Sequence, residues 1–400
     1  MSIFKPILEE VVEADITQLI ADGQAEGLTV EFKRDMYGNS DADKKEFLKD
    51  LSAFANSTGG QLIIGVDEAQ GAAVGIVPIA GNSDVALQRL EQIARSGIEP
   101  RIVGIQMRAV PLAGGAFAYV IRVPRSWNPP HRVSYQNTNR FYLRSTAGAH
   151  EASVEELRAV FANGADMREK ITSFVSHRNT KITNNQGVVP LAQGPGAEGR
   201  LVLHLLPFAA FSGRAEIDVS EAEELWQQFQ LIGLTGNRRI NFDGLLLLPN
   251  GVPHGYTQVF RNGIVEATKV RLVSTTEQGI TRIPMRSFLE PVYQRLPTYL
   301  RALRDLGVAP PFIVSLSLIG VEGVYLGVAN QGLHSIDEQH PIDRANLVLP
   351  MQVISDFGSD ASYRAAITPA LDALFNAVGL ASSEIFLANY DENGIWTGGM

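Results

Sequence analysis

The chain has 400 residues, a length that predicts two to three domains. Its apolar fraction of 45% and charged fraction of 19% are typical of a globular protein with a sizeable core. The absence of cysteine excludes disulfides, zinc–cysteine sites and thiol nucleophiles, and it fits a cytoplasmic location. No apolar stretch is long enough to span a bilayer and the first residues lack a signal-peptide core, so we expect no membrane association.

The charge of the chain is uneven. Its formal net charge of -9 argues against a protein that coats nucleic acid nonspecifically. Residues 89–150, however, contain nine arginines and no lysine, against two glutamates. Because a guanidinium binds phosphate in a bidentate fork, this segment predicts a phosphate-binding surface. The alternative is an ordinary solvated surface.

The first elements in chain order are a helix over residues 7–22, a strand over 28–33, a helix that ends at the Gly59-Gly60 pair and a strand over 62–66. Alternation along the first strand puts Glu31 and Lys33 on one face and apolar residues on the other. The second helix has Asp41 or Asp43 as its predicted cap. The second strand is apolar throughout, which predicts a central strand buried on both faces.

Three acids flank these strands. Glu31 lies on the first strand, Asp67 follows the second, and Glu26 joins them if the chain bends at Gly27. Carboxylate oxygens are the ligands that Mg²⁺ and Mn²⁺ prefer, so we expect Glu26, Glu31 and Asp67 to hold one of these ions. The alternative is that Glu31 pairs with Lys33 or Arg34, and that Asp67 caps a turn.

The next elements are a helix over residues 82–96, strands over 102–110 and 117–123, a basic loop over 126–132 and a strand over 140–144. Alternation puts Arg140, Tyr142 and Arg144 on one strand face, an arrangement suited to phosphate contact and base stacking. The alternative is that Tyr142 lies at the edge of the core and the arginines are solvated. The predicted nucleic-acid contacts are Arg34, Arg125, His131, Arg132, Arg140, Tyr142 and Arg144.

A Ser153–Glu156 capping box predicts a helix that ends near residue 161, and a second helix is predicted over 167–176. We therefore divide the chain into a first domain over residues 1–163, a helix and linker over 164–199 and an α/β domain over 200–400. The last domain contains no motif that indicates chemistry.

Further predictions concern the last domain. They are a hairpin turn at Asn262-Gly263, a helix over residues 283–306 kinked or broken at its prolines, a hairpin that joins 312–319 to 324–328, and a helix over 361–378.

The motif Glu26…Glu31-Phe32-Lys33, followed by Leu51-Ser52-Ala53-Phe54-Ala55-Asn56-Ser57-Thr58-Gly59-Gly60 and Ile64-Gly65-Val66-Asp67, resembles the Schlafen AlbA-like domain. The segment 140–145 resembles its closing strand, and the resemblance covers roughly residues 10–162. It implies an α/β (α+β) fold, with an N-terminal mixed sheet and flanking helices, before the second α/β domain. In nuclease members, two glutamates five apart and an aspartate after a Gly-Val pair form a metal-dependent ribonuclease site. The cysteine-rich zinc element of animal Schlafens has no counterpart here.

The resemblance implies a metal-dependent endoribonuclease that acts on structured transfer or ribosomal RNA, in microbial defence or stress. Glu26, Glu31 and Asp67 are the implied metal ligands, and we expect Lys33 to stabilise the charge of the transition state. RNA is favoured over DNA as the partner, and homo-oligomerisation is left open. The alternative is a non-catalytic DNA- or RNA-binding module, such as a transcriptional regulator, with a C-terminal sensing or oligomerisation domain. ATP is not expected, because no phosphate-binding loop of the Gly-x-x-x-x-Gly-Lys-Ser/Thr type occurs.

Overall fold

The structure is a computed structural model that describes residues 5, 7–126, 128–211, 216–328, 339–391 and 393–398. The chain divides into two compact units, Met1–Lys170 and Ile171–Met400. Both units combine helices with β-sheets, which confirms the predicted α/β class. No helix of the described part of the chain is long and apolar enough to span a membrane.

In chain order the first unit contains α1 (Glu13–Ala21), β1 (Val30–Lys33), α2 (Asp41–Asn56), β2 (Gly60–Ile64), β3 (Val66–Ala69), β4 (Ala72–Ile76), α3 (Ser83–Gly97), β5 (Ile98–Glu99), β6 (Gln106–Pro111), β7 (Phe117–Val123), β8 (Arg132–Tyr135), β9 (Thr138–Ser145), β10 (Gly148–Glu151) and the first part of α4 (Val154–Thr183). The main sheet has the order β1-β2-β7-β6, with β1 parallel to β2 and the other pairs antiparallel. A second sheet has the order β10-β9-β8-β5, and β3 and β4 form a separate hairpin.

The main sheet is covered on both faces, as the apolar run in β2 predicts. On one face, α2 packs Phe47, Leu51 and Phe54 against a core that includes Leu62 and Ile64. The opposite face packs against α1. Ser40, rather than Asp41 or Asp43, caps α2, because its side chain accepts a hydrogen bond from the Asp43 N–H.

The apolar run over residues 62–66 is not one strand. β2 ends at Ile64, and Gly65 adopts a φ of 92°, a left-handed conformation that glycine adopts readily. The chain then continues into β3, which pairs only with β4 in the described structure. Asp67 therefore lies on this hairpin and not at the end of the central strand.

Helix α4 replaces the two helices predicted after Ser153. The capping box is confirmed: the Ser153 N–H donates to Glu156 Oε2 at 2.9 Å, and the Glu156 N–H donates to Ser153 Oγ at 3.2 Å. The helix then runs without a break from Val154 to Thr183. The division between the two units falls within this helix, after Lys170.

The second unit contains the last turns of α4, followed by β11 (Arg200–Pro207), α5 (Val219–Glu224), β12 (Asn237–Asn241), β13 (Gly244–Leu248), β14 (Gly255–Phe260), β15 (Val265–Val270), β16 (Ser274–Thr275), β17 (Thr281–Pro284), α6 (Met285–Asp305), β18 (Phe312–Ile319), β19 (Tyr325–Gly327), β20 (Asn346–Val348), β21 (Gln352–Ile354), α7 (Asp360–Asn376) and α8 (Glu384–Leu387). The large sheet has the order β12-β13-β14-β15-β11-β18-β20, with β21 also paired to β18. One face packs on a core that includes α6 and α7, and Ile182 of α4 packs with residues of the other face.

Three of the sequence predictions can be compared with the structure of this unit. The Asn262-Gly263 turn does join the antiparallel strands β14 and β15. Helix α6 continues through Pro291 and Pro297. The predicted hairpin between residues 312–319 and 324–328 is wrong, because β18 pairs with β11, β20 and β21 whereas β19 runs parallel to β17.

Candidate functional site

Arg144 is a buried framework residue. Its side chain is 1% exposed, and its guanidinium donates to Glu31 Oε2 at 2.5 Å and to the Gly27 carbonyl at 2.6 Å. It also lies 4.5 Å from the centroid of the Phe54 ring. Arg144 thus ties β9 to β1 and α2, and its predicted contact with nucleic acid stays a prediction that its burial does not favour.

Lys33 connects Glu31 to a second, buried acid. Its ammonium donates to Glu31 Oε1 at 2.7 Å and lies 3.5 Å from Asp50 Oδ2, which also accepts a 2.6 Å hydrogen bond from the Tyr37 hydroxyl. Asp50 is 1% exposed, and burial raises its pKa to about 6. Sequence reasoning missed Asp50, although a carboxylate within the apolar stripe of α2, three residues from Phe47, signals such a group.

The pKa values of the other two charged groups shift in the direction of ion pairing. Burial alone would raise the pKa of Glu31, but hydrogen bonds from Lys33 and Arg144 outweigh it and leave that pKa below its usual value. Burial alone would lower the pKa of Lys33, but Asp50 and Glu31 raise it overall. Glu31 and Lys33 are therefore both charged near neutral pH.

Glu26 closes the free edge of the main sheet. The chain bends as predicted, with the Gly27 N–H donating to the Val30 carbonyl at 3.1 Å. This bend lets Glu26 Oε1 accept a 2.7 Å hydrogen bond from the N–H of Phe32 on the edge strand β1. Burial raises the pKa of Glu26. Its carboxylate thus supplies a partner for a backbone group at an otherwise open edge.

Asp67 pairs with Arg34, whose Nη1 donates to Asp67 Oδ2 at 2.9 Å; the arginine side chain is 60% exposed. Each of the three predicted metal ligands therefore has a different partner. Within the described ranges, no three His, Asp or Glu side chains are grouped so that they could hold one metal ion.

The predicted grouping of Glu26, Glu31 and Asp67 fails for three reasons. The turn at Gly65 moves Asp67 onto a hairpin, Glu26 bonds to the sheet edge, and Glu31 is held by Lys33 and Arg144. In this arrangement the three carboxylates do not fit a shared ion. A metal requirement stays a prediction.

The face of β9 that carries Arg140, Tyr142 and Arg144 points partly inward. Tyr142 is half-buried and packs against the core beside α2, and its carbonyl accepts a 3.0 Å hydrogen bond from the Asn56 amide. Arg140 is exposed and pairs with Glu151 at 2.8 Å. Of the three side chains that the alternation placed on one strand face, Arg140 is therefore the exposed one.

The basic loop is also partly internal. His131 is 2% exposed, its ring nitrogens contact the Pro100 carbonyl at 2.6 Å and Ser126 Oγ at 2.5 Å, and burial lowers its pKa. Its predicted contact with nucleic acid stays a prediction that its burial does not favour. Arg125 is half-buried. Arg132 is more open and pairs with Glu99 at 2.6 Å, and its register partner is Phe141, which places it on the strand face opposite Arg140.

The motif that carries the family resemblance is explained by packing. The Asn56 amide joins β9 to the residue before β8, since it accepts from the His131 N–H at 2.6 Å and donates to the Tyr142 carbonyl. A Cβ atom at Gly60 would lie 2.4 Å from the Phe54 ring and 2.7 Å from the Thr29 carbonyl. These residues therefore join α2 to β2 and β9.

Residues 26–153 match the family model described as Schlafen, AlbA_2, which confirms the resemblance for this part of the chain. No curated protein matches the sequence. Among solved structures, the DIP2311 protein from Corynebacterium diphtheriae is 17% identical over 35% of this chain and 29% of that chain, with a TM-score of 0.25. The N-terminal domain of a putative ATP-dependent DNA helicase RecG-related protein from Nitrosomonas europaea is 24% identical over 27% of this chain and 72% of that chain, with a TM-score of 0.22.

Proposed function

We propose, from the Schlafen AlbA_2 match over residues 26–153, that the first unit binds nucleic acid through phosphate contacts made by exposed arginines. The observation that carries this proposal is Arg34. It follows β1 directly, at the end where β1 and its parallel neighbour β2 both finish. Ligands of α/β sheets commonly bind at this end of the strands.

The ion pair between Arg34 and Asp67 supports this role. Both side chains are exposed, and exposed pairs contribute about 0–1 kcal/mol. Exchange of the Asp67 carboxylate for a phosphate therefore costs little. The same holds for Arg140 with Glu151 and for Arg132 with Glu99, which are also at least one-third exposed.

In this proposal, four charged residues stabilise the fold of the unit and do not bind phosphate: Glu31, Lys33, Asp50 and Arg144. Their mutual pairing engages the charges of Glu31 and Lys33, whose side chains are 14% and 25% exposed. Structured RNA is the favoured ligand, since A-form helices are recognised mainly by shape and phosphates.

Metal-dependent endoribonuclease activity is the second candidate. It rests on the family match and on the presence of Glu26, Glu31 and Asp67 at the positions that the resemblance assigns to metal ligands. It requires all three carboxylates to leave their present partners.

Fluorescence anisotropy with a labelled RNA hairpin, and with a DNA duplex of matched length, tests the binding proposal on the full chain. At low salt and in chelator, we expect binding of the RNA, with a several-fold loss of affinity in Arg34→Ala. Arg95→Ala is the matched control, because Arg95 is an equally exposed arginine of α3 that pairs with Glu91. Removal of one phosphate contact should also reduce the salt slope by about 1.

Failure of the full chain to bind either nucleic acid at low salt would overturn the proposal. Equal losses in Arg34→Ala and Arg95→Ala would overturn the assignment of Arg34, since both substitutions change the net charge by the same amount. Incubation with total RNA in Mn²⁺, and separately in chelator, tests the second candidate: cleavage in Mn²⁺ alone that Glu31→Ala abolishes would favour the enzyme.

A further inference from the structure

The second unit contains a pocket with a volume of about 490 Å³. One wall is the last three turns of α4, and the other is the edge of the large sheet formed by β18 and β20. The helical wall is a single stripe at spacings of three and four residues, comprising Thr172, Val175, Ser176, Asn179, Thr180 and Thr183. All lining residues belong to the second unit.

The helical wall carries a row of neutral hydrogen-bonding groups. Four of its six residues are serine or threonine, and Asn179 adds a side-chain amide. The hydroxyls of Thr180 and Thr183 donate to the Ser176 and Asn179 carbonyls and keep lone pairs that can accept. Such a row therefore suits a ligand that donates hydrogen bonds from several hydroxyl or amide groups of its own.

Asn179 is the buried polar residue of this row. It is 8% exposed, and its Nδ2 donates to Ser317 Oγ on β18 at 2.9 Å. Its Oδ1 has no hydrogen-bond partner, although it is buried. A buried acceptor without a donor is costly, which makes this oxygen a site where a ligand donor would be favoured.

The sheet wall is largely apolar. Ile319 is buried, Val348 is exposed at the sheet edge and Met351 is half-buried beside them, whereas the Leu347 side chain packs in the core on the opposite face of the sheet. Ser317 and Val348 are register partners, as are Ile319 and Asn346, so the wall is a regular two-strand surface. A flat apolar ring system can lie against such a surface, and a thioether packs well against aromatic rings.

None of the described residues that line the pocket is charged. A phosphate or carboxylate in the ligand would therefore find no lysine or arginine among these lining residues, although Arg200 donates to the carbonyl of the lining residue Thr183. A volume of this size lies in the range of small-molecule sites, and such sites combine an apolar surface with a few fixed polar groups.

We propose that this pocket binds an uncharged nucleoside, with the base against the apolar strands β18 and β20 and the sugar hydroxyls along the polar stripe of α4. The amphipathic walls favour this class over a monosaccharide, which lacks an extended apolar ring, and the neutral lining favours it over a nucleotide. The pocket is independent of the nucleic-acid contacts proposed for the first unit, and neither proposal depends on the other.

Isothermal titration calorimetry of the full chain with adenosine, guanosine, cytidine and uridine tests the proposal, with adenosine monophosphate as the charged comparison. We expect saturable binding of at least one nucleoside, and binding of its monophosphate at least tenfold weaker. In Ser176→Trp, a bulky side chain from the helical wall fills the pocket, and binding should be lost. Ser173→Trp is the matched control, because Ser173 is an exposed serine of the same helix that does not line the pocket.

Asn179→Ala removes the unpartnered oxygen and should weaken binding at least fivefold. Because Asn179→Ala also removes the hydrogen bond to Ser317, circular dichroism is used to check that this variant folds. If it does not fold, the result with Ser176→Trp decides the test. Absence of heat and of thermal stabilisation with all four nucleosides would overturn the proposal. So would binding that survives in Ser176→Trp, or that is equally weakened in Ser173→Trp.

Discussion

Arg144 shows how burial changes the role of a residue whose type and position suggest a surface contact. Its pairing with Glu31 leaves both charges almost without water, since the two side chains are 1% and 14% exposed. We expect Arg144→Ala to lower the free energy of unfolding by about 3 kcal/mol, because it removes one of the two cations that pair with the largely buried Glu31. Arg140→Ala, which breaks an exposed pair, should cost no more than about 1 kcal/mol.

Urea unfolding followed by far-UV circular dichroism measures both values. Similar losses in the two variants would mean that the buried pair contributes no more than a solvated one. A large loss confined to Arg140→Ala would reverse the roles assigned to the two arginines.

Asp50 gives the first unit a dependence on pH of its own. Its pKa is raised by burial from 3.8 to about 6 in the folded chain, so the folded state binds the proton more tightly. Stability from this group is therefore present at low pH, falls as the pH rises from about 4 to about 6, and is constant above that. Asp50→Asn keeps an acceptor for Tyr37 but cannot ionise. We expect its free energy of unfolding, relative to the wild type, to rise across this window by up to about 3 kcal/mol.

Urea unfolding of both proteins at several pH values across the window measures that difference. A difference that stays constant with pH would show that Asp50 titrates alike in the folded and unfolded chains. The Glu31 pair has the opposite sign: its lowered pKa stabilises the fold above the usual pKa of glutamate, and this contribution is lost on acidification.

The join between α2 and β2 depends on a close approach that only glycine permits. A methyl group at Gly60 would meet the Phe54 ring and the Thr29 carbonyl within 2.7 Å, whereas one at Gly27 would meet no atom within 4 Å. We expect Gly60→Ala to lower the melting temperature through about 1–3 kcal/mol of overpacking. Gly27→Ala should have little effect. Differential scanning calorimetry of the two variants compares the costs, and an equal shift would contradict the packing role of Gly60.

The elements were more predictable than the contacts between them. Helices α2 and α3, the buried strand β2 and the Ser153 capping box follow from periodicity and capping residues, which are local signals. The turn at Gly65 was missed because a glycine within an apolar run is compatible with a continuous strand. The burial of His131 and Arg144 depends on α2 and on residues distant in sequence, such as Asn56 and Glu31, and no local pattern reports it.

The whole molecule has a charge distribution that limits how it can meet a polyanion. The chain is acidic overall, whereas residues 89–150 carry an excess of seven positive charges over negative ones. At least two of those arginines make contacts within the protein: Arg144 is buried, and Arg89 donates to the Tyr37 and Gly38 carbonyls. In the proposed binding mode, exposed pairs such as Arg34 with Asp67 supply the phosphate contacts, and an acidic background opposes binding without them.

We predict that the affinity for nucleic acid depends weakly on salt concentration and does not depend on divalent metal. If Arg34, Arg132 and Arg140 each neutralise one phosphate, the logarithm of the association constant should fall with the logarithm of salt concentration with a slope no steeper than about −3 for duplex DNA. Because the carboxylates in the proposal are framework groups, chelator should leave the affinity unchanged. Anisotropy titrations over a salt series, with and without Mg²⁺, measure both quantities. An affinity that collapses in chelator would instead indicate that Glu26, Glu31 and Asp67 exchange their present partners for a shared ion when nucleic acid binds.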